Sequence, residues 1–469
     1  MGNYTERLAA FVAGARITDL PSVIVHETKR SLLDTIGCAI NGLTMDGGRI
    51  AAEFARRLSG PGEATIIGTR DKVASCSAAF ANAQLSNAMD FDGGSVYHDT
   101  PAVFGGTLAL AEASGSTGRD LLLAVAIAHE LATRLQLASK SSVSVAWDRP
   151  DGAKASRPGM QGFDFVTLAV AAAGGKLLGI KEDQIRNAVG IASFIHPPNP
   201  IERYFDTSPV KMVKYTVFGQ IAEAGVRAAL LAQMGFTADA EALDGETSLW
   251  KRGTWEPHKI TEGLGDEWIH KIGYKLYPSN LGTAGAKDCL ISIVTENNIQ
   301  PEDIDKVTAR ISPVWQHRAM RENTLKTQED FLFNVAYQLS CAAHRVSPAR
   351  WLDAEVRNDP KLRTFMQRVQ FDIGCDEKEY SEVRLKNPGA ELMSAEVIVR
   401  GRAYRKQTHH HRGADSPVEY RLTDEELIAK FRDNVSLALS RDATSKAVDA
   451  VFNLEKIGRI EAFAQLFAS

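Results

Sequence analysis

The stretch NAMDFDGGSVYHDTPAVFGGTLALAEASGSTGRDLLLAVAIAHELATRL, residues 87–135, decides how this chain folds. Its second part reads as two helices, Gly105–Ser114 and Asp120–Leu137, parted by Gly-Ser-Thr-Gly, with Ser116 or Thr117 as the cap of the second. The run LLLAVAIA is apolar nearly all round, which predicts a central, buried helix. Working outward, Ser31–Gly42 places Leu32, Leu33, Ile36 and Ile40 on a period near 3.6. Val73–Met89 is a run of small residues suited to close helix packing, and Phe163–Leu178 and Val217–Gly235 each end in glycine near the expected stop. Lys140–Gly162 is polar, aperiodic and carries Pro150 and Pro158, so it reads as a long surface loop.

Composition shifts near residue 265. Ile304–Pro313, Arg368–Ile373, Ser381–Leu385 and Ala395–Val399 with Tyr404 alternate as strands do, with helices expected at Ala284–Val294 and Glu329–His344. From Thr423 the chain is helical again, opening on a capping box with Glu426. The fold class is therefore mainly α: a large all-helical domain built from both ends of the chain, 1–265 and 416–469, with a smaller α+β domain, 266–415, inserted.

At 469 residues the chain is too long for one ordinary core. With 54 basic and 58 acidic side chains its net charge is −4, and a protein held to nucleic acid by phosphate neutralisation would show a basic surplus. No apolar run approaches the roughly 20 residues of a membrane span, and the charged start MGNYTERLAAF is unlike a signal peptide. The cysteines, Cys38, Cys76, Cys289, Cys341 and Cys375, stand far apart, which argues against a disulfide framework, a structural zinc site or an iron–sulfur cluster. Neither a dinucleotide fingerprint nor a P-loop, H-E-x-x-H or G-x-S-x-G occurs. These readings predict a cytoplasmic protein without metal or cofactor.

The polar break in the opening stretch gathers Asp90, Asp92, His98 and Asp99 beside Gly93-Gly94. A carboxylate beside an imidazole orients the ring and favours its taking up a proton, so the cluster suits proton transfer near neutral pH. The same residues also suit a helix junction whose acids satisfy backbone donors.

The chain resembles the MmgE/PrpD family, which includes 2-methylcitrate dehydratase, cis-aconitate decarboxylase and iminodisuccinate epimerase. The resemblance rests on SLLDTIGCAINGL (31–43), the stretch 87–135, PVKMVKYTVFGQIAEAGVRAALLAQMGFTADAEALDG (209–245), KLYPSN (275–280) and RLTDEELIAKFRDN (421–434). It implies a helical body, an α+β lid, an active site between them, and a homodimer. It also implies lyase or isomerase chemistry on small polycarboxylates without a metal, begun by moving a proton next to a carboxylate. Residue by residue, the resemblance makes Asp90, His98 and Lys214 catalytic: His98 as acid/base, Asp90 orienting it or binding a hydroxyl, Lys214 pairing a substrate carboxylate. Asp92, Ser95, Lys275, Tyr277 and Asn280 become substrate-binding candidates.

This chain departs from the family at particular positions. Gly93-Gly94 replace a further Asp and a Thr or His, leaving Ser95 as the available hydroxyl. Asp99 stands where a proline commonly follows the histidine, and Asn280 stands where some relatives carry a lid histidine. Elsewhere, His409-His410-His411 make a poor chelate, because neighbouring side chains on an extended chain face opposite ways. His129 reads as a satisfied core histidine, His196 as a turn residue able to line a pocket, and Tyr204 and Asp206 as minor candidates. Arg149, Lys154 and Arg157 read as solvated charges. The resulting expectation is a cofactor-independent hydro-lyase on a small di- or tricarboxylic acid. An epimerase or isomerase shares its proton-abstraction step, a decarboxylase on a similar acid is a further alternative, and a non-catalytic acid-binding or scaffold homologue is the alternative of another class.

Overall fold

The computed structural model describes residues 3–58, 60, 62–94, 98–140, 144–146, 154–156, 165–197, 209–245, 248, 254–311, 318–322, 324–372, 377–386 and 390–468. The fold is mainly α. Its principal helices are α1 (Tyr4–Gly14), α2 (Ser22–Gly42), α3 (Asp46–Arg57), α4 (Ser75–Asn87), α5 (Thr100–Ala113), α6 (Gly118–Ala138), α7 (Val166–Leu177), α8 (Glu182–Ile195) and α9 (Val217–Gln233). After them come α10 (Ala284–Glu296), α11 (Val335–Ala343), α12 (Glu377–Lys386), α13 (Asp424–Val435) and α14 (Arg441–Phe452). A sheet of order β4-β3-β1-β2 joins β1 (Ile304–Arg310), β2 (Val369–Asp372), β3 (Met393–Val399) and β4 (Arg402–Thr408). Strand β1 runs parallel to β2 and antiparallel to β3, with Val307 opposite both Val369 and Val397.

The alanine-rich composition of α4, α5, α7 and α9 explains how they pack against one another, since small side chains let backbones approach. α6 starts on Thr117, whose hydroxyl accepts from the Asp120 N–H while the Asp120 carboxylate accepts from the Thr117 N–H. By length and composition alone α6 is apolar enough to cross a membrane, yet its most apolar window is 89% buried inside the protein. The first core runs from Leu8 to Ile260 and takes in Phe431 to Phe467 from the far end of the chain. A second core, Tyr277 to Val397, is joined by Cys38, Met89 and Phe91. The polar break after α4 therefore lies where the cores meet.

Details differ from expectation. Ser381–Leu385 is not a strand but part of α12: Glu, Lys, Leu and Arg are strong helix formers, and the V-x-L alternation is met by leaving Leu385 83% exposed. The helix expected over Glu329–His344 is broken at Asn334, which leaves helical geometry (ψ 109°) to cap α11 by accepting the Tyr337 N–H at 2.7 Å. Within the expected loop 140–162, Ser144–Ala146 and Lys154–Ser156 pair antiparallel. The charged side chains expected there, Arg149, Lys154 and Arg157, lie outside what is described, as do Ser95, Tyr204 and Asp206.

Candidate active site

Asp90 ends the first turn after α4 in the left-handed region (φ 52°), and His98 re-enters it (φ 58°) just before α5. Non-glycine residues seldom sit there, and such strain gathers where a site over-determines the backbone. Between them Gly94 holds φ 153° and exchanges hydrogen bonds of 2.9 Å in both directions with Gly273. A Cβ at Gly94 would stand 3.0 Å from His98 Cα, so this turn needs glycine. The bridge to Gly273 brings Lys275 beneath the turn.

Asp90 is wholly buried and accepts from two ammonium groups. Lys275 Nζ reaches Oδ1 at 2.6 Å and the Asp90 carbonyl at 2.9 Å, and Lys214 Nζ, from the single turn before α9, reaches Oδ2 at 2.7 Å. Burial opposes ionisation of Asp90, but Lys214, Lys275 and His98 outweigh it and hold the carboxyl far below the usual carboxylate range. Burial in turn pushes Lys214 down, offset in part by Asp90. Asp92, also wholly buried, accepts from Asn87 Nδ2 at 2.7 Å and holds His98 Nδ1 at 2.8 Å. With Nδ1–H donating to Asp92, the lone pair of a neutral His98 lies on Nε2, 3.5 Å from Lys275 Nζ and 3.6 Å from Asp90 Oδ1. The His98 side chain is 18% exposed and that of Lys214 11%, so these two face the open side of the cluster.

The structure thus gathers Asp90, Asp92, His98, Lys214 and Lys275. It directs the Tyr277 hydroxyl elsewhere, to Asp288 Oδ1 at 2.8 Å, with the ring stacked on Trp351. Asn280 caps a short turn by accepting the Gly282 N–H at 2.8 Å. His129, read as a satisfied core histidine, is buried with its ring nitrogens on Asp99 and Ser31. His409 and His411 each donate Nδ1–H to a backbone carbonyl, of Glu391 and Arg412, while His410 packs against Tyr420, so the run converges on no common point.

Further residues that sequence reasoning missed support the turn. Asp34 of α2 accepts the Gly93 N–H at 2.9 Å and pairs with Lys430 of α13 at 2.6 Å, and Lys430 also donates to the Phe91 carbonyl at 2.7 Å. Tyr274 donates to Glu27 of α2 at 2.6 Å, and Glu27 also pairs with Arg421 at 2.7 Å. The available signal was the spacing of Glu27, Ser31 and Asp34, four and three residues apart, which puts them on one side of α2.

One oxygen or nitrogen each from Asp90, Asp92 and His98 lie within 4.8 Å of one another, a spacing that a metal ion accepts. Both Asp90 oxygens already carry ammonium groups, however, and a divalent cation here would meet two positive charges. The donor set fits ammonium neutralisation better than a metal. What the arrangement offers is a histidine with one nitrogen anchored and the other presented beside lysines: proton transfer next to anion binding.

Comparison with known proteins agrees on family. A family model described as the MmgE/PrpD N-terminal domain matches residues 6–259, and one described as the MmgE/PrpD C-terminal domain matches residues 277–455. The chain is 26% identical over 470 residues to a cis-aconitate decarboxylase of Homo sapiens, covering 97% of this chain and 92% of that protein. It is 24% identical over 476 residues to that of Mus musculus, covering 97% and 91%. A cis-aconitate decarboxylase of Aspergillus terreus is 27% identical over 295 residues, 58% of this chain and 56% of that one.

Proposed function

Because the chain belongs to the MmgE/PrpD family, we propose that it is a cofactor-independent lyase acting on a small di- or tricarboxylic acid. The observation that carries this reading is His98, anchored at Nδ1 by Asp92 and presenting Nε2 beside Lys275. In its neutral form His98 takes a proton from carbon next to a carboxylate, and Asp92 stabilises the imidazolium formed. Lys275 and Lys214 bind substrate carboxylates and the enolate charge that develops, while Asp90 keeps both ammonium groups together.

Two outcomes share this machinery. In water loss, the carbanion pair forms the double bond as the C–O bond breaks, and the imidazolium proton leaves with hydroxide as water. In CO2 loss His98 instead starts as the imidazolium: the pair from the breaking C–C bond passes to carbon, which takes its proton from His98. Water loss is the reading reached from the sequence; CO2 loss is favoured by the relatives, each called a cis-aconitate decarboxylase. We also propose that 266–415 acts as a lid over a helical body formed by 1–265 and 416–469, working as a homodimer.

The test is incubation of EDTA-treated protein with citrate-, malate-, tartrate-, aconitate- and iminodisuccinate-like acids in D2O, followed by NMR. Deuterium should enter a carbon next to a carboxylate, and His98→Gln should slow this on the order of 10²–10⁴-fold. Release of CO2, of water or of neither separates decarboxylase, dehydratase and epimerase. Acids that bind without exchange or turnover would sink the lyase reading and leave an acid-binding protein.

A further inference from the structure

Directly behind the His98 turn lies a second polar chain, buried among the helices. His129, on α6, sets Nδ1 2.7 Å from Asp99 Oδ2 and Nε2 3.1 Å from Ser31 Oγ of α2. Ser31, His129 and Asp99 are each no more than 2% exposed. Nδ1–H donates to the carboxylate, and Nε2 then accepts from the serine hydroxyl. His270 packs edge-on 5.8 Å from the His129 ring, and burial together with His129 pushes it down to about 3, so it stays neutral. The order serine, histidine, carboxylate is that of a nucleophilic triad, yet Ser31 lies inside a helix that is buried on every side there, where no substrate reaches it.

We infer that Ser31, His129 and Asp99 form a positioning relay for His98. Asp99 directly follows His98, and its Oδ1 lies 3.2 Å from where a Cβ on Gly94 would stand, so the carboxylate packs against the turn itself. Its other oxygen is tied through His129 to α6, which is fixed in the core. On the opposite side Thr100 Oγ1 donates to the Gly93 carbonyl at 2.7 Å. The strained torsion of His98 is therefore clamped between a ring held by Asp92 and a following residue held by α6. The relay rests on the proposed role of His98, and His129 and Asp99 act through that residue without touching substrate.

A histidine that merely fills the core would affect stability alone. The test uses the whole protein labelled with 15N-histidine, reading the His98 ring signals, together with steady-state kinetics on whichever acid turns over. His129→Leu should shift or broaden the His98 Nδ1–H signal and lower kcat about 10- to 100-fold, with KM held within about twofold. His129→Asn, whose amide can still donate to Asp99, should restore both. Unchanged His98 signals and kcat in folded His129→Leu would overturn the relay. If His129→Leu does not fold, Asp99→Leu, which removes the acceptor for His129 Nδ1–H, reads the same signals, and wild-type-like His98 signals and kcat in that variant overturn the relay equally. Should no acid turn over with the wild-type protein, the lyase reading fails while the NMR arm still decides the relay.

Discussion

Replacing Lys430 by methionine should remove about 3–5 kcal/mol of folding stability, the usual penalty for leaving one partner of a buried ion pair alone. Methionine keeps the length and bulk of the stem, so no large cavity opens. What disappears is a 2.6 Å pairing with Asp34, a 2.7 Å hydrogen bond to the Phe91 carbonyl, and a cation 4.1 Å above the Phe91 ring. Burial already raises the Asp34 pKa with Lys430 opposing it; without the ammonium the carboxyl rises further. Native protein then binds a proton that the unfolded chain, near 3.8, has released, so stability falls as pH rises through that window. The deficit of Lys430→Met should accordingly be largest at pH 8 and shrink toward pH 4. Asp34→Asn added to Lys430→Met keeps an acceptor for the Gly93 N–H and removes the orphan charge, so the double variant should recover at least half of the loss. Urea unfolding followed by circular dichroism gives all three values. A cost below about 1 kcal/mol, a double variant no more stable than the single one, or a deficit that ignores pH would refute the reasoning.

Other positions offer sharper local tests. Gly94→Ala forces a Cβ to 3.0 Å from His98 Cα at φ 153°, and should lower stability by about 1–3 kcal/mol while reducing kcat beyond the loss of folded protein; melting and kinetics measured together check this. Burial pushes Lys287 of α10 down to about 7 from 10.5, so between those values the unfolded chain binds a proton that the native protein lacks, and wild-type stability should rise with pH across that range. Lys287→Met lacks that rise, so the difference in melting temperature between the two proteins should move in favour of wild type from pH 7 to 9.5; a constant difference would contradict the assignment.

How much of this was legible in the sequence depends on the range of each interaction. The capping box at Thr423, and a cap at Ser116 or Thr117, were readable because the partners lie within one turn; the structure makes Thr117 the cap, in a box with Asp120. Asp90, Asp92 and His98 stood out because their encounter is nearly local. Lys214 and Lys275 carry no such mark, since the contacts that define them span 124 and 185 residues, and only the family resemblance singled them out. Asp34 and Lys430 left just a faint trace, a charged residue on the buried side of a helix: Lys430 shares its face with Leu427, Phe431 and Asn434. The Ser381–Leu385 strand failed because a short alternation is compatible with a surface helix when nothing buries it. His129 read correctly as buried, but its partner Asp99 and the turn they hold are properties of the tertiary fold.

The prop under the His98 turn joins Phe91 to Lys430 across 339 residues. At roughly 5–20 residues per second of synthesis, that bond must wait on the order of 17–70 s after Phe91 has been made. Until then Asp34 has no cation and the turn has no floor, whatever the helices around it have already achieved. A chain interrupted before Lys430 would thus hold the residues of its chemistry without the geometry, and activity would be among the last properties to emerge as the protein is made.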